Sequence, residues 1–216
     1  MRGMTIALMI VVNNQVGSGR MFPFLNHALW DGLTFADLVF PSFMFIMGVS
    51  AAFSMSRLQK REAMLKSLSR GVKIIIASTL LTWIARGLSG LERLLEFETL
   101  RYTGVLVRLG ICYMFATLLY IWLDTRKKVL WCIAILLAGY TAILCAFNGF
   151  ALSEDNIIAV IDRAIIGPDH MYHKRVGDIR ICFDPEGLLS NIPGIAHVLS
   201  LIHISEPTRP SDISYA

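Results

Sequence analysis

Long apolar runs separated by short polar stretches dominate this chain of 216 residues. The runs lie at about residues 3–14, 35–56, 71–88, 104–123, 129–147 and 188–204. Most of them approach the roughly 20 apolar residues that a helix needs to cross a bilayer core. The pattern therefore predicts an all-α fold, a polytopic transmembrane helical bundle with about six membrane segments.

A dense polar motif precedes the second run, in the sequence NHALWDGLTFADLVFPSFMFIMGVS at residues 26–50. Thr34 stands three residues before Asp37, which is the spacing of a capping box, so a helix is expected to begin near Thr34. Pro41 then falls in the first turns, where its missing N–H costs little. Polar side chains directly next to a segment that is apolar enough to cross a membrane are expected of an active site at a bilayer surface.

The composition excludes an ordinary soluble globular protein. Hydrophobic residues make up 55% of the chain, charged residues only 17%, and the mean hydropathy is +0.60. The net charge of +4 is small for this length and predicts no nucleic-acid partner. The four cysteines show no metal-ligand spacing, and Asp169, His170 and His173 fit no strong metal motif, so no bound metal is predicted.

The charges of the loops predict the orientation in the membrane. Lysine and arginine crowd residues 57–70 and 124–128, and such loops face the cytoplasm. The stretches 13–37, 89–103 and 148–187 then lie on the outer side. We therefore expect a multi-pass protein of the cell inner (plasma) membrane with a cytoplasmic N-terminus and with His27 outside.

Several polar residues on the predicted outer side are candidates for chemistry. The His27 imidazole can act as a general base or nucleophile near neutral pH. Trp30 can stack on a sugar face or anchor the chain at the membrane interface. Asn13 closes the first helix, either as a polar helix end or as a site amide.

Asp37 and Arg108 are expected to lie at the same depth. Each stands about one helical turn inside the outer end of its helix, roughly 5–6 Å below the surface. Opposite charges at one depth in a low-dielectric layer attract, so we expect them to pair if their helices adjoin. The pair would be either structural or part of a site.

Five segments in order resemble the transmembrane heparan-α-glucosaminide N-acetyltransferase family and its bacterial relatives. They are MRGMTIALMIVVN, the motif at 26–50, RYTGVLVRLGICYMF, IDRAIIGPDHMYH and FDPEGLLSNIPGI. The resemblance covers residues 1 to about 198. It implies transfer of an acetyl group from cytoplasmic acetyl-CoA to an amino sugar or glycan on the outer side of the bilayer. It also implies that His27 is the active histidine and that the motif asparagine is Asn13, or Asn14 in an equally plausible register.

The resemblance suggests roles for His27 and Asn13. His27 would deprotonate the acceptor amine or carry the acetyl group itself, and Asn13 would bind the carbonyl oxygen or orient the imidazole. Asp37 completes the catalytic set. The residues expected to bind substrate are Trp30, Asp31, Arg108, Asp184 and Glu186. The pattern is also compatible with a homo-oligomer.

Two other classes of function fit the same sequence. A permease-like transporter of a sugar or other small solute would use intramembrane Asp37 and Arg108 to line its path. An inert membrane scaffold would neither transfer an acetyl group nor transport.

The end of the chain has a different character. The string ISEPTRPS resembles translated sequencing-adapter read-through, so residues 199–216 are expected to be a non-native tail. Residues 1–198 are then expected to be the N-terminal part of a membrane acetyltransferase domain, without the later helices of the family and without the few residues that normally precede its RG pair.

Overall fold

A computed structural model describes residues 2–14, 22–28, 30, 32–56, 58–88, 90, 92, 100–176 and 179–205. Its helices are α1 (Arg2–Asn13), α2 (Val39–Met55), α3 (Lys60–Leu88), α4 (Val105–Trp122), α5 (Arg126–Ala146), α6 (Ile157–Ile165) and α7 (Asn191–Ser205). Two strands, β1 (His173–Val176) and β2 (Ile179–Cys182), form an antiparallel hairpin. The all-α prediction is confirmed, because helices form the whole bundle and the hairpin is a small addition at one end.

Four helices in the described part of the chain are long and apolar enough to cross a membrane. These are α3, α4, α5, and α2 together with the 3-10 turn Ala36–Leu38 that leads into it. The apolar helices α1 and α7 are shorter. Pro41 lies in the first turn of α2, where the sequence predicts it. The membrane character is therefore confirmed.

The core of the bundle forms around α7, which packs against α2, α4 and α5. Val198, Leu199 and Ile202 of α7 are fully buried there. Their cluster also contains Met44 and Ala51 of α2 and Cys112 and Ala116 of α4. A short apolar helix is thus covered by longer ones.

Close packing of backbones holds α3 against α4. A Cβ added at Gly71 would lie 3.2 Å from the Gly110 carbonyl oxygen, and one added at Gly110 would lie 3.1 Å from the Gly71 carbonyl oxygen. Small residues that let backbones approach are a main source of attraction between membrane helices. Ala63 and Ser67 continue this small, buried face at a spacing of four residues toward the start of α3.

The two ends of the bundle differ in structure. At the first end, called here the basic end, the α2–α3 and α4–α5 connections meet, and Lys60 forms an ion pair with Asp124. At the other end α1 and α5 finish and α2 and α4 begin. Residues 148–190, called here the cap, lie at this second end and include α6 and the hairpin. The candidate functional residues His27 and Asp37 lie at the cap end.

Three features depart from the sequence prediction. The helix expected over 71–88 begins at Lys60, because the basic stretch carries the small buried face of α3 rather than forming a loop. Helix α6 and the hairpin lie between the last two apolar runs, where the sequence analysis predicts no helix or strand. Residues 199–205 continue α7, with Leu199 and Ile202 in the core. The non-native origin of residues 199–216 stays a prediction, and 206–216 lie outside the described residues.

Replacement of Gly110 by alanine tests the contact between α3 and α4. The new methyl group would lie 2.8 Å from a side-chain carbon of Ile75 as well as against the α3 backbone. We expect Gly110→Ala to lower the free energy of unfolding by about 1–3 kcal/mol, as overpacking does in cores. The measurement is the thermal unfolding midpoint of the full-length protein in detergent.

The matched control is Gly139→Ala on α5, where an added Cβ meets nothing within 4 Å. Alanine is the better helix former by about 1 kcal/mol, so this variant should unfold at the same or a higher temperature. Equal shifts in the two variants would contradict the packing argument.

Candidate active site

The Asp37 carboxylate lies at the centre of the candidate site. Its Oδ1 lies 2.7 Å from Nδ1 of His27. Its Oδ2 accepts hydrogen bonds from the Ala28 backbone N–H at 3.3 Å, the Thr34 backbone N–H at 3.0 Å and the Thr34 hydroxyl at 2.8 Å. The carboxylate reaching back to the Thr34 N–H is half of a capping box, as the spacing predicts. Asp37 therefore organises the polar loop before α2.

The contact with Asp37 determines which nitrogen of the His27 ring carries the proton. An ionised carboxylate can only accept hydrogen bonds, so Nδ1 has to be the donor in this pair. In a neutral imidazole the lone pair then resides on Nε2. The His27 side chain is 64% exposed, which leaves Nε2 accessible to a molecule at the cap end. The arrangement is that of a general base or nucleophile oriented by a carboxylate.

The His27 loop, defined here as residues 26–37, is attached to the rest of the molecule through Trp30. The indole Nε1 donates to the Phe150 carbonyl at 2.7 Å, and the ring packs edge-on against Phe183 at a centroid distance of 5.1 Å. Gly32 has φ +117°, a conformation that side-chain-bearing residues rarely adopt. Asp31 lies outside the described residues, so its expected contact with substrate stays a prediction.

The end of α1 lies beside the start of α2. Val12 packs with Ala36 and Val39 in a small buried cluster. Asn13 follows Val12 directly and is exposed at the cap end of the bundle. The Asn14 amide donates to the Ile10 carbonyl of its own helix at 2.9 Å, which leaves Asn13 as the better candidate for a site amide.

The expected ion pair between Asp37 and Arg108 does not form, and that prediction was wrong. Asp37 is satisfied by donors of its own loop. Arg108 instead donates to the carbonyl oxygens of Pro185 at 3.2 Å and Ser190 at 2.8 Å, and lies over the Phe40 ring at 4.9 Å. Equal depth was not enough, because each group finds closer partners in the segment next to it.

Arg101, which precedes α4, forms an ion pair with the fully buried Asp184 of the cap. Arg101 donates from Nε to Oδ2 at 3.1 Å and from Nη2 to Oδ1 at 2.7 Å. The Thr103 hydroxyl and the backbone N–H groups of Tyr172 and Glu186 also donate to this carboxylate. Burial alone would raise the pKa of Asp184, but the bonds from Arg101 and Thr103 outweigh it and hold the pKa below its usual value. The pair fixes the cap to the start of α4.

Glu186 lies next to this pair and is more accessible than Asp184. Its Oε2 accepts from Nη2 of Arg101 at 2.9 Å, and its side chain is 18% exposed. Burial and the charge of Asp184 raise the pKa of Glu186, and Arg101 opposes that rise. The segment FDPEG forms a turn, closed by a hydrogen bond from the Gly187 N–H to the Asp184 carbonyl.

The His170 side chain contacts other parts of the protein. Its Nδ1 lies 2.7 Å from the Leu100 carbonyl oxygen, and its ring packs against Tyr102. Within the described residues there is no group of three histidine, cysteine or acidic side chains that could hold a metal ion.

Comparison with known proteins now identifies the family. A family model described as heparan-alpha-glucosaminide N-acetyltransferase, catalytic, matches residues 1–159. The chain belongs to this family. It is 29% identical to the heparan-alpha-glucosaminide N-acetyltransferase of Mus musculus over an alignment that covers 90% of this chain and 36% of the mouse protein. The corresponding protein of Homo sapiens is also 29% identical, with 90% of this chain and 35% of the human protein covered.

The chain therefore spans about a third of the length of the curated relatives that it matches. The resemblance stated from the sequence motifs is confirmed. The match to the family model includes the whole His27 loop. It ends within α6, so the FDPEG turn lies beyond it.

This member of the acetyltransferase family contains a further buried carboxylate that the sequence analysis missed. Asp162 on α6 is fully buried, and its Oδ1 accepts from the Leu188 N–H at 2.8 Å. Its Oδ2 is buried against Gly187 without a hydrogen-bond partner among the described residues. Burial, helped by the charge of Asp184, raises the pKa of Asp162 to about 6. The signal available in the sequence is an acid on the apolar helix IIAVIDRAI.

Replacement of Asp162 by asparagine should reduce the pH dependence of stability. Because the folded-state pKa is raised above its ordinary value of 3.8 to about 6, the wild type loses stability as the pH rises through this window. The amide of the new side chain would keep an acceptor for the Leu188 N–H without the charge. We therefore expect the free energy of unfolding of Asp162→Asn, relative to wild type, to rise by about 2–3 kcal/mol between pH 4 and pH 7. One pKa unit corresponds to about 1.4 kcal/mol.

The measurement is the unfolding midpoint of Asp162→Asn and wild type at both pH values. Asp155→Asn, at an exposed position of the cap, serves as the control and should show no such growth. If the difference in unfolding midpoint between Asp162→Asn and wild type were the same at both pH values, it would contradict a buried carboxylate with a raised pKa.

Proposed function

We propose that the protein of which this chain is part transfers an acetyl group from cytoplasmic acetyl-CoA to the amino group of a sugar or glycan on the outer side of the membrane. The observation that carries the proposal is the His27–Asp37 pair, with Nδ1 of His27 held at 2.7 Å from Oδ1 of Asp37 in a member of an N-acetyltransferase family. The pair leaves Nε2 directed to an accessible position, as acyl transfer to an amine requires.

His27 would carry the proton during the transfer. Nε2 takes a proton from the neutral acceptor amine while the amine nitrogen forms a bond to the acetyl carbonyl carbon. The bond from that carbon to the sulfur of CoA breaks, and Nε2 returns the proton to the departing thiolate. Asp37 stabilises the imidazolium that exists between these two events. Asn13, at the end of the neighbouring helix, would donate to the carbonyl oxygen where negative charge develops.

The cap would supply the contacts to the acceptor. Asp184 is fully buried and its oxygens already accept several hydrogen bonds, so we assign it to holding the FDPEG turn. Glu186 is the accessible member of that group and is our candidate for binding a hydroxyl or ammonium group of the sugar. Arg108 supports the same turn through the Pro185 carbonyl.

The basic end would receive acetyl-CoA, which supplies the acetyl group as a thioester. Arg61, Lys66, Lys127 and Lys128 are exposed there on the first turns of α3 and α5. Their charges suit the phosphates of CoA. The same charges also follow from the orientation rule for cytoplasmic loops.

A permease is less well supported by the geometry. The transport hypothesis places Asp37 and Arg108 along one path, whereas each is bonded to its own neighbouring segment. An oriented imidazole has a direct use in acyl transfer and none in passive guidance of a solute.

Removal of the imidazole tests the proposed chemistry. In the full-length protein we expect His27→Ala to reduce acetyl transfer by about 10²–10⁴-fold, which is the usual cost of losing a general base. Acetyl-CoA binding, measured by titration, should change little because the basic end is far along the bundle from His27. His197→Ala, at an exposed position of α7, is the control and should keep the wild-type rate.

Acetyl trapped on His27 when the acceptor is withheld would indicate the covalent route instead of direct transfer. Wild-type transfer by His27→Ala would place the catalytic group elsewhere. Unmodified passage of an amino sugar through the protein would support the permease.

Replacement of Asp37 by asparagine tests the orienting role. The amide would present N–H groups to the Thr34 donors or to Nδ1, so the imidazole would lose its preferred tautomer. We expect a loss of about 10²–10⁴-fold in kcat, as in other His–Asp pairs. Asp169→Asn, an exposed carboxylate of the cap, is the matched control. A loss of kcat/KM that comes only from a higher acceptor KM, with kcat unchanged, would contradict the orienting role of Asp37.

Cysteine labelling tests the orientation in the membrane. Position 27 should react with an impermeant thiol reagent from the outer side and position 62, in the first turn of α3, from the cytoplasm. The background carries Cys145→Ser, since Cys145 is the exposed native thiol among the described residues. Labelling of position 27 from the cytoplasm would overturn the orientation.

A further inference from the structure

A hydrophobic cluster formed by the cap and the end of α5 contains one ring from the His27 loop. Its buried members are Leu144, Ile158, Ala159, Ile181 and Phe183. The half-buried residues packed against it are Trp30, Tyr140, Leu152, Ile157 and Leu189. Among the described members, Trp30 alone comes from outside residues 140–189.

Trp30 makes two different contacts with the cap. Its Nε1–H, the one polar group of the side chain, donates to the Phe150 carbonyl at 2.7 Å. Its ring meets Phe183 at an interplanar angle of 74°, the edge-to-face geometry that aromatic pairs favour. The polar group and the ring are therefore both engaged by the protein itself.

The surface that receives Trp30 is held firmly. Phe183 is followed directly by Asp184, whose carboxylate binds Arg101 in two places. Arg101 lies just before α4, so the cluster is tied to a membrane helix as well as to the cap. Asp37 holds the loop at Ala28 and Thr34, on either side of Trp30.

We infer that Trp30 is a positioning residue, which fixes the His27 loop against the cap and thereby holds the imidazole in its reactive geometry. The inference replaces the sugar-stacking role expected from the sequence, and it rests on the proposed function. An imidazole that is 64% exposed has few packing contacts of its own, so its position depends on the two attachments of its loop.

Kinetics of the full-length protein test the inference. We expect Trp30→Ala to lower kcat for acetyl transfer by about 10–100-fold, since displacement of a catalytic group by about 1 Å has costs of that order. The acceptor KM should stay within about 2-fold, because no substrate contact is lost. Trp30→Phe should recover most of the rate, since a phenyl ring keeps the contact with Phe183. Trp131→Ala, at a 70% exposed position of α5, is the control and should match wild type.

A double-mutant cycle with Asp37→Asn distinguishes positioning from stacking. If both residues act on the same imidazole, the combined loss is smaller than the product of the two single losses. If Trp30 binds the acceptor sugar, the losses multiply and the acceptor KM rises in Trp30→Ala. Multiplicative losses or a KM effect would overturn the inference.

Chemical labelling gives a readout that does not depend on activity. The rate at which diethyl pyrocarbonate modifies His27, followed by mass spectrometry, should change in Trp30→Ala. The rate at His170, which is bound to the Leu100 carbonyl, should stay the same. Equal His27 rates in Trp30→Ala and wild type would overturn the positioning role. Wild-type transfer by His27→Ala would overturn the proposed function alone, and the labelling would still decide the role of Trp30.

Discussion

The need to satisfy one carboxylate at the start of an apolar helix shapes the candidate site. Asp37 lies in the 3-10 turn that leads into α2, where its side chain is largely covered and an unpaired charge would be costly. Its donors all belong to His27, Ala28 and Thr34. The loop must fold back on the carboxylate to supply them. That folding presents the His27 ring at the cap end, so a requirement of stability also produces the arrangement needed for chemistry.

Two carboxylates in the cap show how partners decide the state of a buried acid. Asp184 has a guanidinium, a hydroxyl and backbone donors around it, and these lower its pKa. Asp162 has one backbone donor for Oδ1 and an Oδ2 pressed on Gly187, so burial raises its pKa to about 6. Both groups hold the FDPEG turn. The free-energy cost of burying them differs, and Asp162, whose Oδ2 has no hydrogen-bond partner within the part of the chain that the structure describes, makes the stability of the cap depend on pH.

Local spacing and hydrophobic runs were enough to predict much of the bundle. The runs predict the membrane helices, and the Thr34–Asp37 spacing predicts their contact. The partner of Asp37 was predicted incorrectly, because depth along the membrane normal does not say which residue lies alongside. The prediction misses the start of α3 because a crowd of basic residues favours a loop, although Ala63, Ser67 and Gly71 continue a helical small-residue face.

The sequence also could not predict which distant residues contact the cap. Nothing local connects Arg101 with Asp184, which lie far apart along the chain and meet only when α4 and the cap are folded. Trp30 and Phe183 are another such pair. Sequence reasoning assigned Trp30 to a substrate or to the membrane interface, since those are common uses of an isolated indole at a bilayer surface.

The same long-range contacts explain how the exposed His27, the proposed catalytic group, can remain ordered. A buried base is oriented by packing, but in the proposed reaction the acceptor reaches His27 from outside, so the ring has to stay accessible. Orientation then has to come from the loop that carries it. Asp37 restrains the ring directly through Nδ1, and Trp30 restrains the backbone three residues away through the cap. With either restraint alone the loop could pivot about the remaining one, so both are needed to keep Nε2 in place.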